Sequence, residues 1–135
     1  MPLKIKAPDV VNTEYIEAHR LGVLIRTPIE NVAFFQADQK VVMAHTKTNG
    51  EFALEIPLWV IEQTLPGMFT HVHRSYLVQT SLLPGLKHWR KGSHWVFEII
   101  TSVRLAGRVG LVDHVIPVSR RLTQQVKAAM NAKAS

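Results

Sequence analysis

At 135 residues, 47% of them apolar and 19% charged, the chain has material for one hydrophobic core, and no apolar run nears the roughly 20 residues of a membrane-spanning helix. The absence of cysteine excludes disulfides, thiolate nucleophiles and cysteine-ligated zinc together. The formal charge of +6 is uneven: residues 1–70 hold six Lys/Arg against eight Asp/Glu, residues 71–135 ten against two, which fits a polyanionic partner or a plain soluble basic surface.

The amino terminus, Met1 to Lys6, lacks the apolar stretch of a secretory signal, so a cytoplasmic location is expected. Residues 9–22 fit a short helix, with Asn12 as cap, Val11, Tyr15 and Ile16 on one side and Gly22 as stop. β-Branched and aromatic runs then predict strands at Val23–Arg26, Val32–Gln36, Lys40–Thr46 and Glu51–Ile56. Asn49-Gly50 is a type I′ hairpin signal. Pro57–Leu65 reads as a two-turn helix lying across a sheet, because Leu58, Ile61 and Leu65 share a face before Pro66-Gly67.

Phe69–Gln79 reads as extended, with His71, His73 and Ser75 on one side and Val72, Arg74 and Tyr76 on the other. Polar residues on both faces suit no half-buried strand, so part of this stretch is expected to be irregular or functional. Leu86–Thr101 is a hairpin around Gly92-Ser93, which requires φ > 0 at its first position and sets Trp95, Phe97 and Ile99 on the core face. Short strands at Val109–Val112 and His114–Val118 lead to a helix capped by Ser119, with Leu122, Val126 and Met130 along one side. The sum is a mainly β domain with two or three short helices.

His71 and His73 have a spacing a metal could use, but no third or fourth ligand is fixed nearby, and His19, His45, His88, His94 and His114 are scattered. No Gly-x-Ser-x-Gly, Gly-x-x-x-x-Gly-Lys or His-Glu-x-x-His occurs, and a carboxylate dyad would need distant residues such as Asp38 and Glu98. No catalytic residue, metal or cofactor is therefore expected. Arg120 and Arg121 stand in the first turn of a predicted helix, where cations oppose the helix dipole at about 1 kcal/mol or less unless an anion is near. A phosphate would reverse that sign, and arginine also suits guanine edges; the alternative is pairing with Glu98 or Asp113. The polar cluster Ala37-Asp38-Gln39-Lys40 is either a solvated turn or a second contact with bases and phosphates.

Three stretches in order, Thr27–Ala37, Phe69-Thr70-His71-Val72-His73-Arg74-Ser75-Tyr76-Leu77-Val78 and Ile116-Pro117-Val118-Ser119-Arg120-Arg121-Leu122, resemble the LytTR DNA-binding domain of bacterial response regulators and related transcription factors. The resemblance spans about residues 23–130, leaving 1–22 as an extension or linker and 131–135 as a tail. It implies an elongated fold of three small antiparallel sheets whose loops enter the major grooves of promoter sites organised as direct repeats. Asp38, Gln39, Lys40, Arg74 and Arg120 would then face double-stranded DNA, while Arg121, Lys87, Arg90 and Lys91 are phosphate contacts suggested by charge.

A second copy placed head to tail, RNA polymerase or another regulator are the protein partners this reading admits. The chain departs from the pattern at Gln79, where asparagine is common, and in the long 101–113 connection, whose Arg104 and Arg108 either extend the contact surface or decorate a loop. There is no room for a receiver domain, which leaves a stand-alone regulator or an output domain cut from a longer parent. The competing reading is a protein-interaction module that modulates a related regulator without binding DNA.

Overall fold

The computed structural model describes residues 8–131; residues 1–7 and 132–135, with Lys133, lie outside them. Eleven strands and two α-helices follow in order: β1 (Val10–Val11), β2 (Tyr15–Arg20), β3 (Val23–Pro28), β4 (Val32–Asp38), β5 (Val41–Thr46), β6 (Glu51–Leu54), α1 (Leu58–Thr64), β7 (Phe69–His73), β8 (Tyr76–Gln79), β9 (His88–Lys91), β10 (His94–Leu105), β11 (Arg108–Pro117) and α2 (Thr123–Asn131). They form three antiparallel sheets, ordered β1-β2-β3, β6-β5-β4-β8-β7 and β11-β10-β9. The fold is mainly β, as the sequence implies.

The five-stranded sheet is the middle layer. Strand β4 carries four consecutive buried residues, Val32, Ala33, Phe34 and Phe35, the pattern of a strand covered on both faces. Val32 and Phe35 join one core with Ile16, Phe52, Leu54, Ile61 and Leu65, contributed by β2, β6 and α1. Ala33 and Phe34 join the other with Phe97, Ile99, Ile116 and Val126 from β10, β11 and α2. Each helix closes its core with one face: Ile61 and Leu65 under α1, Val126 under α2.

Several expectations are corrected. Residues 9–22 form β1 and β2, because Asn12 Oδ1 accepts from the N–H groups of Glu14 and Tyr15 (both 2.8 Å) and closes a turn, after which Ile16 and Ala18 alternate into the core. These strands precede residue 23, where the sequence resemblance begins. Asn49-Gly50 is no type I′ turn, since only Gly50 has positive φ (+78) and a wider loop is closed by Thr46 N–H to Gly50 O at 3.1 Å. The 101–113 connection and the expected short strands at Val109–Val112 and His114–Val118 belong to one continuous ribbon, β10 paired with β11 from Val96↔Pro117 to Leu105↔Arg108. Ser119 makes no side-chain cap; a 3-10 turn, Arg120–Leu122, precedes α2, and the Thr123 hydroxyl donates to Ser119 O at 3.1 Å.

The ribbon is tied to the middle sheet by buried polar bonds. Ser102 Oγ donates to Thr46 O (2.8 Å) and accepts from Gly50 N–H (2.7 Å). Beside it His45, 4% exposed, stacks on Phe34 at 4.3 Å between ring centroids and meets His114 at 4.8 Å. Burial, and then the neighbouring His114, lower the His45 pKa from 6.5 to about 4. Its Nε2 lies 3.2 Å from Gln36 Oε1, which fits a neutral ring protonated there, so Glu51 at 3.5 Å from Nδ1 is a polar neighbour and no ion pair at neutral pH.

The linkage sign follows. A depressed pKa means that the unfolded chain takes up the proton first, so the stability is present above pH 6.5 and is lost as pH falls toward 4. Urea unfolding at pH 7.5 and 5.0 should show about 2 kcal/mol of loss from this group. The His45→Phe variant should lose about that much less over the same interval; equal losses in both proteins would show that His45 does not govern acid sensitivity.

Candidate nucleic-acid interface

Four connections meet at one end of the layered structure, joined by main-chain hydrogen bonds. The two-residue turn Gln39-Lys40 links β4 to β5, with Asp38 opposite Val41. Next to it, Arg74-Ser75 links β7 to β8, and Ala37 N–H donates to Ser75 O at 2.8 Å. Ser119 N–H donates to Val72 O (2.8 Å), which sets the Arg120–Leu122 turn against β7. Val118 N–H donates to Trp95 O (2.8 Å), which brings the Gly92-Ser93 turn of β9–β10 to the same rim. Gly92 has φ +65, as that turn requires.

The side chains on this rim are those expected of an anion-binding surface. Asp38, Gln39, Lys40, Arg74, Arg120, Arg121, Arg90 and Lys91 are all exposed. Among the described residues none of these cations forms an ion pair, so the pairing of Arg120 or Arg121 with Glu98 or Asp113 is not realised. Gln39 stands at φ +55, a region L-residues adopt at a cost, and holds no packing position there. Lys87 is separated from the group: it precedes β9 at the end away from the turn, about 13 Å from Lys91 by strand rise. Arg90 and Lys127 instead flank Trp95, at 5.7 and 5.2 Å from its ring centre.

The His71–Ser75 segment has the mixed polarity of a bulged hairpin. His71 opposes Leu77 and His73 opposes Tyr76, so the ladder skips Val72, which is buried. The two histidines part company: His71 lies 3.6 Å from Glu62, while His73 Nδ1 accepts from Ser75 N–H at 3.2 Å. Burial, then Arg74 and His71, lower the His73 pKa, so the ring beside Arg74 favours its neutral form. Among the described residues no three His, Asp or Glu side chains converge. Gln79 is buried, donates to Glu30 O at 3.0 Å and receives Lys47 and Ser81, a structural duty that explains its polarity inside the fold.

Sequence reasoning missed Trp59 as a neighbour of the rim. Trp59 is 63% exposed on α1 and shares a notch with Arg74, and only the tertiary fold brings α1 there.

Comparison with known proteins agrees with this architecture. The family model of the LytTr DNA-binding domain matches residues 22–131. Among solved structures the chain is similar to the LytTr DNA-binding domain of a protein described as a methyl-accepting/DNA response regulator from Bacillus cereus, with a TM-score of 0.66 and 15% identity. The match covers 87% of this chain and 97% of that one, and at such low identity it speaks for the fold alone. No curated protein matches. With the family model covering most of the chain and the fold the same, the chain belongs to the LytTr family of DNA-binding domains.

Proposed function

We propose that this domain binds double-stranded DNA sequence-specifically at promoter direct repeats and acts as a cytoplasmic transcription regulator, its two copies head to tail. The observation that carries the reading is the single rim of exposed turns bearing Arg74, Arg120, Arg121, Lys91, Gln39 and Lys40, none of whose cations is paired to a carboxylate among the described residues. Such a rim supplies phosphate contacts for affinity and a few side chains long enough to read base edges. The DNA-binding unit is taken as residues 23–130, and RNA polymerase or another regulator is its protein partner at the promoter. The response-regulator context of the Bacillus cereus structure suggests an output domain, a role this chain would share.

Within the rim, Gln39, Arg74 and Arg120 are assigned to base edges, with Asp38 shaping the first turn and Lys40, Arg121, Arg90 and Lys91 facing phosphates. Lys87, set apart along β9, has the weakest claim.

Arg120→Ala and Arg74→Ala should each cost about 1–3 kcal/mol on the cognate site and much less on a scrambled duplex, read by fluorescence anisotropy. Equal losses on both duplexes would reassign them to phosphates. Lys91→Ala and Arg90→Ala should weaken all sequences alike and flatten the log–log salt dependence by about one unit each, with a smaller change for Lys87→Ala. Gln39→Gly should relieve its positive φ and raise stability by about 1 kcal/mol, yet lose affinity for the cognate site. A variant that gains stability and keeps its specific affinity would remove Gln39 from the interface.

A further inference from the structure

The opposite end of the molecule carries features that DNA binding does not use. Strand β10 leads away from the rim for twelve residues, about 40 Å at the usual rise, to the tip Ala106-Gly107. The tip of β2–β3, Leu21-Gly22, stands at the same far end, since Arg20 donates to Asn49 O (2.6 Å) in the loop beyond β5 and to Glu51 O (2.8 Å) at the start of β6. Both tips are type I′ turns with a non-glycine residue at their first central position, Leu21 and Ala106 each at φ +50.

Leu21 combines two costs, a left-handed backbone and a side chain 99% exposed, with no packing in return. Its neighbours repeat the second cost: Val23 is 60% exposed, Leu105 68%, and Leu24 and Val109 are also bare. Further along the ribbon Val109, Leu111, Ile100 and Val115 are exposed as well.

Between the tips lies a groove of about 740 Å³ lined by Leu21, Val23, Ile25, Arg20, Arg104 and Glu51. Gly50 lets Arg104 in: a Cβ there would stand 2.8 Å from Arg104 Cγ. The Arg104 charge adds to burial in lowering the Arg20 pKa, the mark of two cations facing one another. Glu51 raises it again in part, and among the described residues neither guanidinium forms an ion pair.

We propose that this groove and its apolar tips dock an extended protein segment that alternates apolar and acidic side chains, while the opposite rim holds DNA. Carboxylates would relieve the Arg20–Arg104 repulsion, and the intervening apolar side chains would cover Leu21, Val23 and Leu105. Strand β3 is the edge of its sheet beside the groove, so the segment can add as a further strand and gain main-chain hydrogen bonds. A phosphate backbone would satisfy the arginines and leave the leucines bare, and a symmetric second copy would set arginines against arginines.

The test is a display library of short random peptides panned against the full chain, with amide exchange to map the winners. Enriched peptides should alternate apolar and acidic residues, protect residues 20–25 and 103–109, and bind about tenfold more weakly to Leu21→Asn and to Arg104→Glu. Arg120→Ala should bind them as the parent does, which separates docking from attraction to net positive charge. Leu21→Asn should keep the parent's DNA affinity and its melting temperature, because asparagine tolerates the left-handed region. No enrichment over the Leu21→Asn/Arg104→Glu double variant, or protection elsewhere, overturns the proposal. Self-association abolished by Leu21→Asn would make a second copy the occupant, and a DNA-affinity loss in Arg104→Glu as large as in Arg120→Ala would make it nucleic acid; either result also overturns it.

Discussion

Strand β4 has no solvent face, and the arrangement of the other elements follows from that. Val32 and Phe35 need cover on one side, Ala33 and Phe34 on the other, so a sheet and a helix must pack against each face of the middle sheet. Phe34 is the more demanding of the two phenylalanines, because its ring is stacked on His45 and approached edge-on by His114. Truncating a buried phenylalanine costs about 3–5 kcal/mol, a large share of the stability of a domain this size. The histidines that contact it stay neutral through burial, which joins the packing of the second core to the protonation state of the seam.

The double burial also determines where recognition can sit. A central strand whose faces are covered can display side chains only beyond its ends, and β4 ends at Asp38, directly before Gln39-Lys40. Ala37 N–H fixes the Arg74-Ser75 turn beside that end, Val72 O fixes Ser119, and Trp95 O fixes Val118, so three turns and the Arg120 segment are aligned by backbone bonds. Their side chains are exposed while their origins are fixed by these bonds. That is the arrangement preorganised recognition asks for, because ordering a long arginine costs less when its Cα is already in place.

Much of this was legible in the sequence, and the failures share a cause. Strands β4 to β6, α1 and the β9–β10 hairpin follow from local alternation and turn residues that point to one answer. The resemblance of Phe69–Val78 and Ile116–Leu122 to the family supplied the three-sheet fold and named Asp38, Gln39, Lys40, Arg74 and Arg120, whereas charge alone, which suggested Lys87, could not show that it stands apart from the rim. Residues 9–22 misled because Asn12 performs the same side-chain-to-backbone chemistry in a turn as in a helix cap. The 101–113 stretch read as a long connection, yet it pairs across a ribbon whose register only long-range pairing could fix. Trp59 joined the neighbourhood of Arg74 through packing of α1, which no local pattern encodes.

The backbone strain is distributed in a way that supports a two-ended molecule. Three non-glycine residues of the described chain have positive φ, Leu21, Gln39 and Ala106, and each occupies the first central position of a two-residue hairpin turn. At the equivalent position of the β9–β10 hairpin the chain uses Gly92, so the fold has a ready means of avoiding the cost. None of the three lies in a core, and Leu21 and Gln39 project into solvent from opposite ends. Strain that stabilises nothing internally persists when the side chain it carries is needed outward. At the Gln39 end the proposed contact with DNA would meet that need, and at the Leu21 end the apolar character of the tip and the Arg104 beside it fit a ligand of different chemistry.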